Sequence, residues 1–209
     1  MFPDELSFQT GPMSITFTNG QILQGESMTD IIILPGIGGS GESHWQTHWE
    51  RTYPRMRRFQ PADWDRPVLE DWIAALEREV SLSAARPLLV AHSLACLLVV
   101  HWQWRSALPV AGALLVAVPD PSSEAFPKEA RDFAAPPAGT LRMPSLIIAS
   151  GDDPYGTTGY ARERAAAWGS GLVDIGAAGH VNGQSGLGDW PHGWNLLTAF
   201  ATGLAARHR

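Results

Sequence analysis

Apolar residues fall in short dense blocks along this chain, separated by longer stretches with helical spacing. The blocks are Ile31-Ile32-Ile33-Leu34 and residues 88–90, 113–118, 146–149 and 172–174. Their near-continuous apolar character predicts strands buried on both faces, as in a parallel sheet. The stretches between them predict helices over residues 45–53, 68–82, 94–104, 160–168 and 194–206. The second of these carries Leu69, Trp72, Ile73 and Leu76 on one face and is introduced by Asp65 and Pro67. Strands alternating with helices predict an α/β fold, a mainly parallel sheet with helices on both faces. No internal repeat or low-complexity tract interrupts the pattern.

The pattern begins at residue 30. Residues 1–29 are polar, with weak alternation in Ser14-Ile15-Thr16-Phe17-Thr18, and are expected to be a loosely ordered extension. They lack the basic start and apolar core of a secretory signal. Residues 30–209 are then expected to form one domain, a size consistent with a substantial core.

Composition narrows the partners. A run of about 18 apolar residues is missing, so no membrane span is expected. The net charge is -6 and the largest basic cluster is Arg55-Met56-Arg57-Arg58, which argues against nucleic acid. Cys96 is the sole cysteine, which excludes an intrachain disulfide and suits a reducing cytoplasm. The nine tryptophans are expected to fill the core more than to line a pocket.

The chemistry centres on Ala91-His92-Ser93-Leu94-Ala95, where an apolar strand runs directly into an apolar helix. A sharp strand-to-helix turn holds a serine out for attack and demands small residues two before and two after it. Ala91 and Ala95 take the places usually filled by glycine. The Leu94 N–H, opening the helix, would point toward an oxyanion forming beside Ser93. A nucleophilic serine needs a base, and the base an orienting acid. Asp152-Asp153-Pro154 follows the block at 146–149, and Gly179-His180 follows that at 172–174. Both sit where open α/β sheets place their sites, beyond strand ends. Spacing does not choose between Asp152 and Asp153. His192, in Trp190-Pro191-His192-Gly193-Trp194, rivals His180 as the base. His92 is expected to point elsewhere around the turn, and His101 lies about 12 Å along the helix. His44 and His48 have a zinc-compatible i, i+4 spacing but neither the glutamate nor a third ligand, so a helix-face role is expected.

Two loops matter. Gly36-Ile37-Gly38-Gly39-Ser40-Gly41 matches a dinucleotide fingerprint literally, yet the acidic strand end expected some 20 residues on is poorly defined. The loop also offers backbone N–H groups to a bound oxygen. Residues 119–144 are proline-rich and fit either a small lid or a plain surface crossover, with the crossover favoured.

Together, residues 33–40, His44-Trp45, the elbow, Asp152-Asp153-Pro154-Tyr155, Gly179-His180-Val181-Asn182 and residues 185–191 resemble the small serine hydrolases of the YdeN and retinoblastoma-binding protein nine type. The likeness spans residues 30 to about 206. It implies a compact α/β-hydrolase fold without a large cap domain. It implies Ser93 as nucleophile, Asp153 as acid and His180 as base, with N–H groups of Ile37, Gly38 and Leu94 as the oxyanion hole. The expected activity is hydrolysis of a small ester, thioester or amide, with no cofactor or metal. A non-catalytic binding protein on the same fold is the alternative, and a nucleotide-binding protein a third.

Overall fold

The five apolar blocks form strands, and a sixth short strand joins them at one edge. In the computed structural model, which describes residues 30–206, the strands are β1 (Ile31–Leu34), β2 (Met56–Arg58), β3 (Leu88–His92), β4 (Gly112–Val116), β5 (Ser145–Ala149) and β6 (Gly171–Asp174). They build one sheet in the order β2-β1-β3-β4-β5-β6, and every neighbouring pair is parallel. The expected N-terminal extension and its alternation at residues 14–18 lie outside the described residues.

Five α-helices cover the sheet: α1 (Trp45–Thr52), α2 (Leu69–Ser81), α3 (Leu94–Arg105), α4 (Thr158–Trp168) and α5 (Pro191–Ala206). Successive strand residues point to opposite faces, so each strand feeds two cores. Ile32, Leu34, Leu89, Ala91 and Leu115 pack with α2, α3 and α4, around Trp72, Trp102 and Trp168. Ile33, Val90, Leu114 and Val116 pack on the other face with α1 and α5, against Trp45, Trp49 and Leu197. This two-sided burial explains why the blocks lack polar alternation. Among the described residues there is no large cap domain, and no helix is long and apolar enough to cross a membrane.

Three features depart from the sequence reading. β2 occupies the segment read as a basic cluster; it is an edge strand in which Met56 is buried and Arg57 and Arg58 are half-buried. α5 starts at Pro191, not at residue 194. Proline suits the first helical turn, and Gly193 leaves room for the Trp190 indole, whose ring a Cβ would meet at 2.2 Å. The 119–144 crossover contains a short 3-10 helix, Lys128–Phe133, whose buried Phe133 packs into the core beneath α3.

Candidate active site

β3 passes into α3 through Ser93, whose backbone sits at φ 55°, ψ -126°. A non-glycine residue with positive φ is held there by its surroundings. The Ser93 N–H donates to Val116 O at 2.9 Å, tying the turn to β4. Ala91 and Ala95 are fully buried, so their methyl groups are accommodated within the packed elbow. On the outer side β1's loop presses in: a Cβ on Gly36 would lie 2.9 Å from Ser93 Cβ and 3.2 Å from His92 O. Gly36 is therefore required for close approach, a need its sequence context did not reveal.

The structure brings three predicted side chains together. His180 Nε2 lies 2.8 Å from Ser93 Oγ. His180 Nδ1 lies 2.9 and 3.0 Å from the two Asp153 carboxylate oxygens. A carboxylate only accepts, so Nδ1–H donates to Asp153 and Nε2 is left to accept from the serine hydroxyl. The Asp153 side chain is 1% exposed and also accepts the Tyr155 N–H at 2.9 Å. Asp152 points the other way. It accepts the Gly179 N–H at 2.7 Å and the Ser150 hydroxyl at 2.9 Å, which hold its carboxyl below the usual range. The neighbours thus divide: Asp153 faces the imidazole, Asp152 ties down the loop that carries it.

The rival histidines are elsewhere. His192 is exposed on the first turn of α5. His101 is buried on α3, with Nε2–H donating to Phe133 O at 3.1 Å. His48 lies against Asp189 at 2.8 Å, while His44 Nδ1 accepts the Gln46 N–H, so the two rings of the i, i+4 pair face different partners. His92 turns beneath the site, and its Nε2–H donates to the His180 carbonyl at 2.9 Å. Burial, reinforced by His44 and His180, pushes His92 well below the ordinary imidazole range, so it is neutral.

The loop after β1 corrects one expectation. The Gly38 N–H donates to Trp64 O at 3.1 Å, so it is turned away from any oxyanion at Ser93. Ile37 and Leu94 keep N–H groups without protein acceptors among the described residues, and both border the cleft. Arg58, on the unpredicted β2, holds the rest of the loop. Its Nη1 donates to the carbonyls of Gly39 at 2.5 Å and Ser40 at 3.2 Å, and its Nη2 to Thr47 Oγ1 at 2.8 Å. Gln46, fully buried, donates to Leu34 O and Val90 O and accepts from the Ser40 hydroxyl. Neither residue carried a sequence signal, because both act on carbonyls whose direction depends on loop conformation.

These groups open onto a cleft of about 400 Å³. Pro119, Phe126 and Pro127 form part of its wall, so the 119–144 crossover borders the site at its leading end. No tryptophan borders the cleft among the described residues; Trp45, Trp49, Trp72, Trp102, Trp168 and Trp190 are buried in the two cores, while Trp104 is exposed.

Fold and site together define an α/β-hydrolase-like protein. The chain belongs to the serine hydrolase family, whose model matches residues 31–199, and it is a hydrolase. A YdeN-like hydrolase from Pectobacterium atrosepticum is 34% identical, with a TM-score of 0.76 over 84% of this chain and 92% of its own. The ydeN product of B. subtilis is 20% identical, with a TM-score of 0.70 over 83% of this chain and 99% of its own. An esterase domain of a Rhodothermus marinus protein, 18% identical, gives 0.57 over 78% and 85%. The last two likenesses show the fold alone. No protein of curated function matches the chain.

Proposed function

We propose that this hydrolase transfers an acyl group from a small ester, thioester or amide to water through a covalent enzyme intermediate. The carrying observation is His180, with Nε2 at 2.8 Å from Ser93 Oγ and Nδ1 against Asp153. His180 takes the hydroxyl proton as Ser93 Oγ attacks the carbonyl carbon. The carbonyl oxygen becomes an oxyanion beside the N–H groups of Ile37 and Leu94. In comparable sites each such donor is worth about 3 kcal/mol in the transition state. His180 then gives the proton to the leaving group, whose bond to the acyl carbon breaks. Water, deprotonated by the same imidazole, releases the acid and restores Ser93. Asp153 holds the tautomer and stabilises the imidazolium without taking the proton. Each step is carried by side chains and backbone, and small uncharged acyl substrates suit the cleft. The lone buried Cys96 is in keeping with a cytoplasmic setting.

A fluorophosphonate probe tests the reading. Labelling of the wild type that disappears in Ser93→Ala is expected, together with turnover of p-nitrophenyl esters. Folded wild type that resists the probe would overturn the mechanism and favour a binding role for the cleft.

A further inference from the structure

The cleft beside Ser93 is lined by residues of two kinds. Ile37, Leu94, Pro119, Phe126 and Pro127 are apolar. Ser43, His44, Asn182 and Gln184 are polar, and no Asp, Glu, Lys or Arg borders the cleft among the described residues.

His44 is the polar lining residue with an unpartnered buried nitrogen. Its Nδ1 accepts the Gln46 N–H at 3.2 Å, which places its proton on Nε2. That N–H is buried and meets no acceptor among the described residues, although the residue, 5% exposed, borders the cleft. A buried donor left unpaired is destabilising, and an acceptor on a ligand removes the penalty. Burial and then the Arg58 guanidinium push His44 down to about 3, so it is a neutral donor and brings no charge to meet an anion.

Position identifies which part of a substrate meets His44. The His44 ring centroid is 4.7 Å from His92, and His92 is 5.0 Å from His180. The chain continuing from His180 supplies Asn182 and Gln184 to the lining of the same cleft. The leaving group must lie beside His180 to receive its proton. We propose that the natural substrate is an ester or amide whose leaving group bears an uncharged oxygen acceptor, an ether, hydroxyl or second carbonyl, bound by the His44 Nε2–H. This rests on the roles given to Ser93 and His180 above.

The test compares 2-methoxyethyl butanoate with n-butyl butanoate, which differ by one ether oxygen in place of a methylene. Hydrolysis is followed in a pH-stat, and each kcat/KM is divided by that ester's rate with hydroxide. The corrected ratio is expected to favour the ether by about fivefold, the effect of one hydrogen bond. It should fall to near one in His44→Phe and be largely kept in His44→Gln, whose amide retains a donor. A wild-type ratio near one, or a ratio unchanged in folded His44→Phe, overturns the proposal. The wild-type ratio decides the matter even where a variant fails to fold. Turnover of neither ester with Ser93 still labelled by fluorophosphonate counts against the leaving-group assignment alone. Loss of that labelling counts against the mechanism itself.

Discussion

Asp152 and Asp153 are adjacent in the chain and serve opposite faces of one turn. The Asp153 carboxylate lies 2.9 Å from His180 Nδ1, while that of Asp152 accepts the Gly179 N–H at 2.7 Å. A proposal that gives Asp153 the orienting role must therefore separate the two by mutation. Asp153→Asn replaces an acceptor-only group with an amide that can stabilise the wrong tautomer, and kcat should fall by about 10³- to 10⁴-fold. Asp152→Asn keeps an oxygen to accept from Gly179, and kcat should fall by less than about tenfold. Steady-state rates with p-nitrophenyl butanoate decide it. Equal losses in both variants would remove the distinction.

What could be read in advance followed from placement at strand ends. Ser93, the Asp-Asp pair and His180 each trail an apolar block, and parallel topology gathers such loops along one edge of the sheet. Direction within a loop was not legible. Gly38 sits in a glycine-rich segment suited to an oxyanion, yet its N–H donates to Trp64 O, a partner fixed by tertiary packing. β2 was hidden because an edge strand of three residues pairs on one side and needs little apolar content. The early start of α5 was hidden because proline and glycine read as a loop, while here Gly193 makes space for an indole ring. The choice between the two aspartates came from resemblance, since two consecutive carboxylates beyond a strand end look alike until the His180 loop is in place.

Gly36 offers a test of how closely the β1 loop must approach the elbow. Alanine there would set its Cβ 2.9 Å from Ser93 Cβ and 3.4 Å from Ser93 Oγ. Neither the serine Cβ nor the His92 carbonyl is a flexible chain end, so the loop or the turn must move. Overpacking of this kind costs about 1–3 kcal/mol. A displacement near 1 Å at the reacting atom is worth about 100-fold in rate. Gly36→Ala should therefore melt only modestly earlier by circular dichroism while losing about two orders of magnitude in kcat. Full activity in this variant would show that the loop has slack.

Arg58 is expected to act from behind on the N–H groups proposed as oxyanion donors. By drawing the carbonyls of Gly39 and Ser40 toward itself, it holds the loop whose Ile37 N–H has no protein acceptor among the described residues. Its Nη2 and Nε also reach Glu50 at 2.8 and 2.9 Å, which fixes the guanidinium. Arg58→Ala should lower kcat by about tenfold with KM nearly unchanged, since the lost interaction supports the transition state more than the bound ester. Arg58→Lys should not restore it, because an ammonium cannot span two carbonyls and a hydroxyl as a planar fork does. A variant with raised KM and intact kcat would mean that the loop binds substrate instead.

Acid stability follows from three histidines that are harder to protonate in the folded protein than in the unfolded chain. His44, His92 and His101 are all pushed below the ordinary imidazole range, in each case first by burial. In the unfolded chain they titrate near pH 6.5. Below about pH 6.5 the unfolded state therefore binds more protons than the folded state, and stability falls as pH falls. Each such histidine contributes a slope of up to about 1.4 kcal/mol per pH unit. Asp152 has the opposite sense, a lowered folded value, and its contribution is lost only at lower pH, near and below the carboxylate range. His101 isolates the effect because it lies away from the cleft, bonded to Phe133 O. In His101→Gln the amide can keep that hydrogen bond but binds no proton. Denaturant unfolding at pH 6.5, 6.0, 5.5 and 5.0 should give a shallower loss of stability in the variant, with kcat unchanged. Parallel curves for variant and wild type would show that His101 does not contribute to the slope.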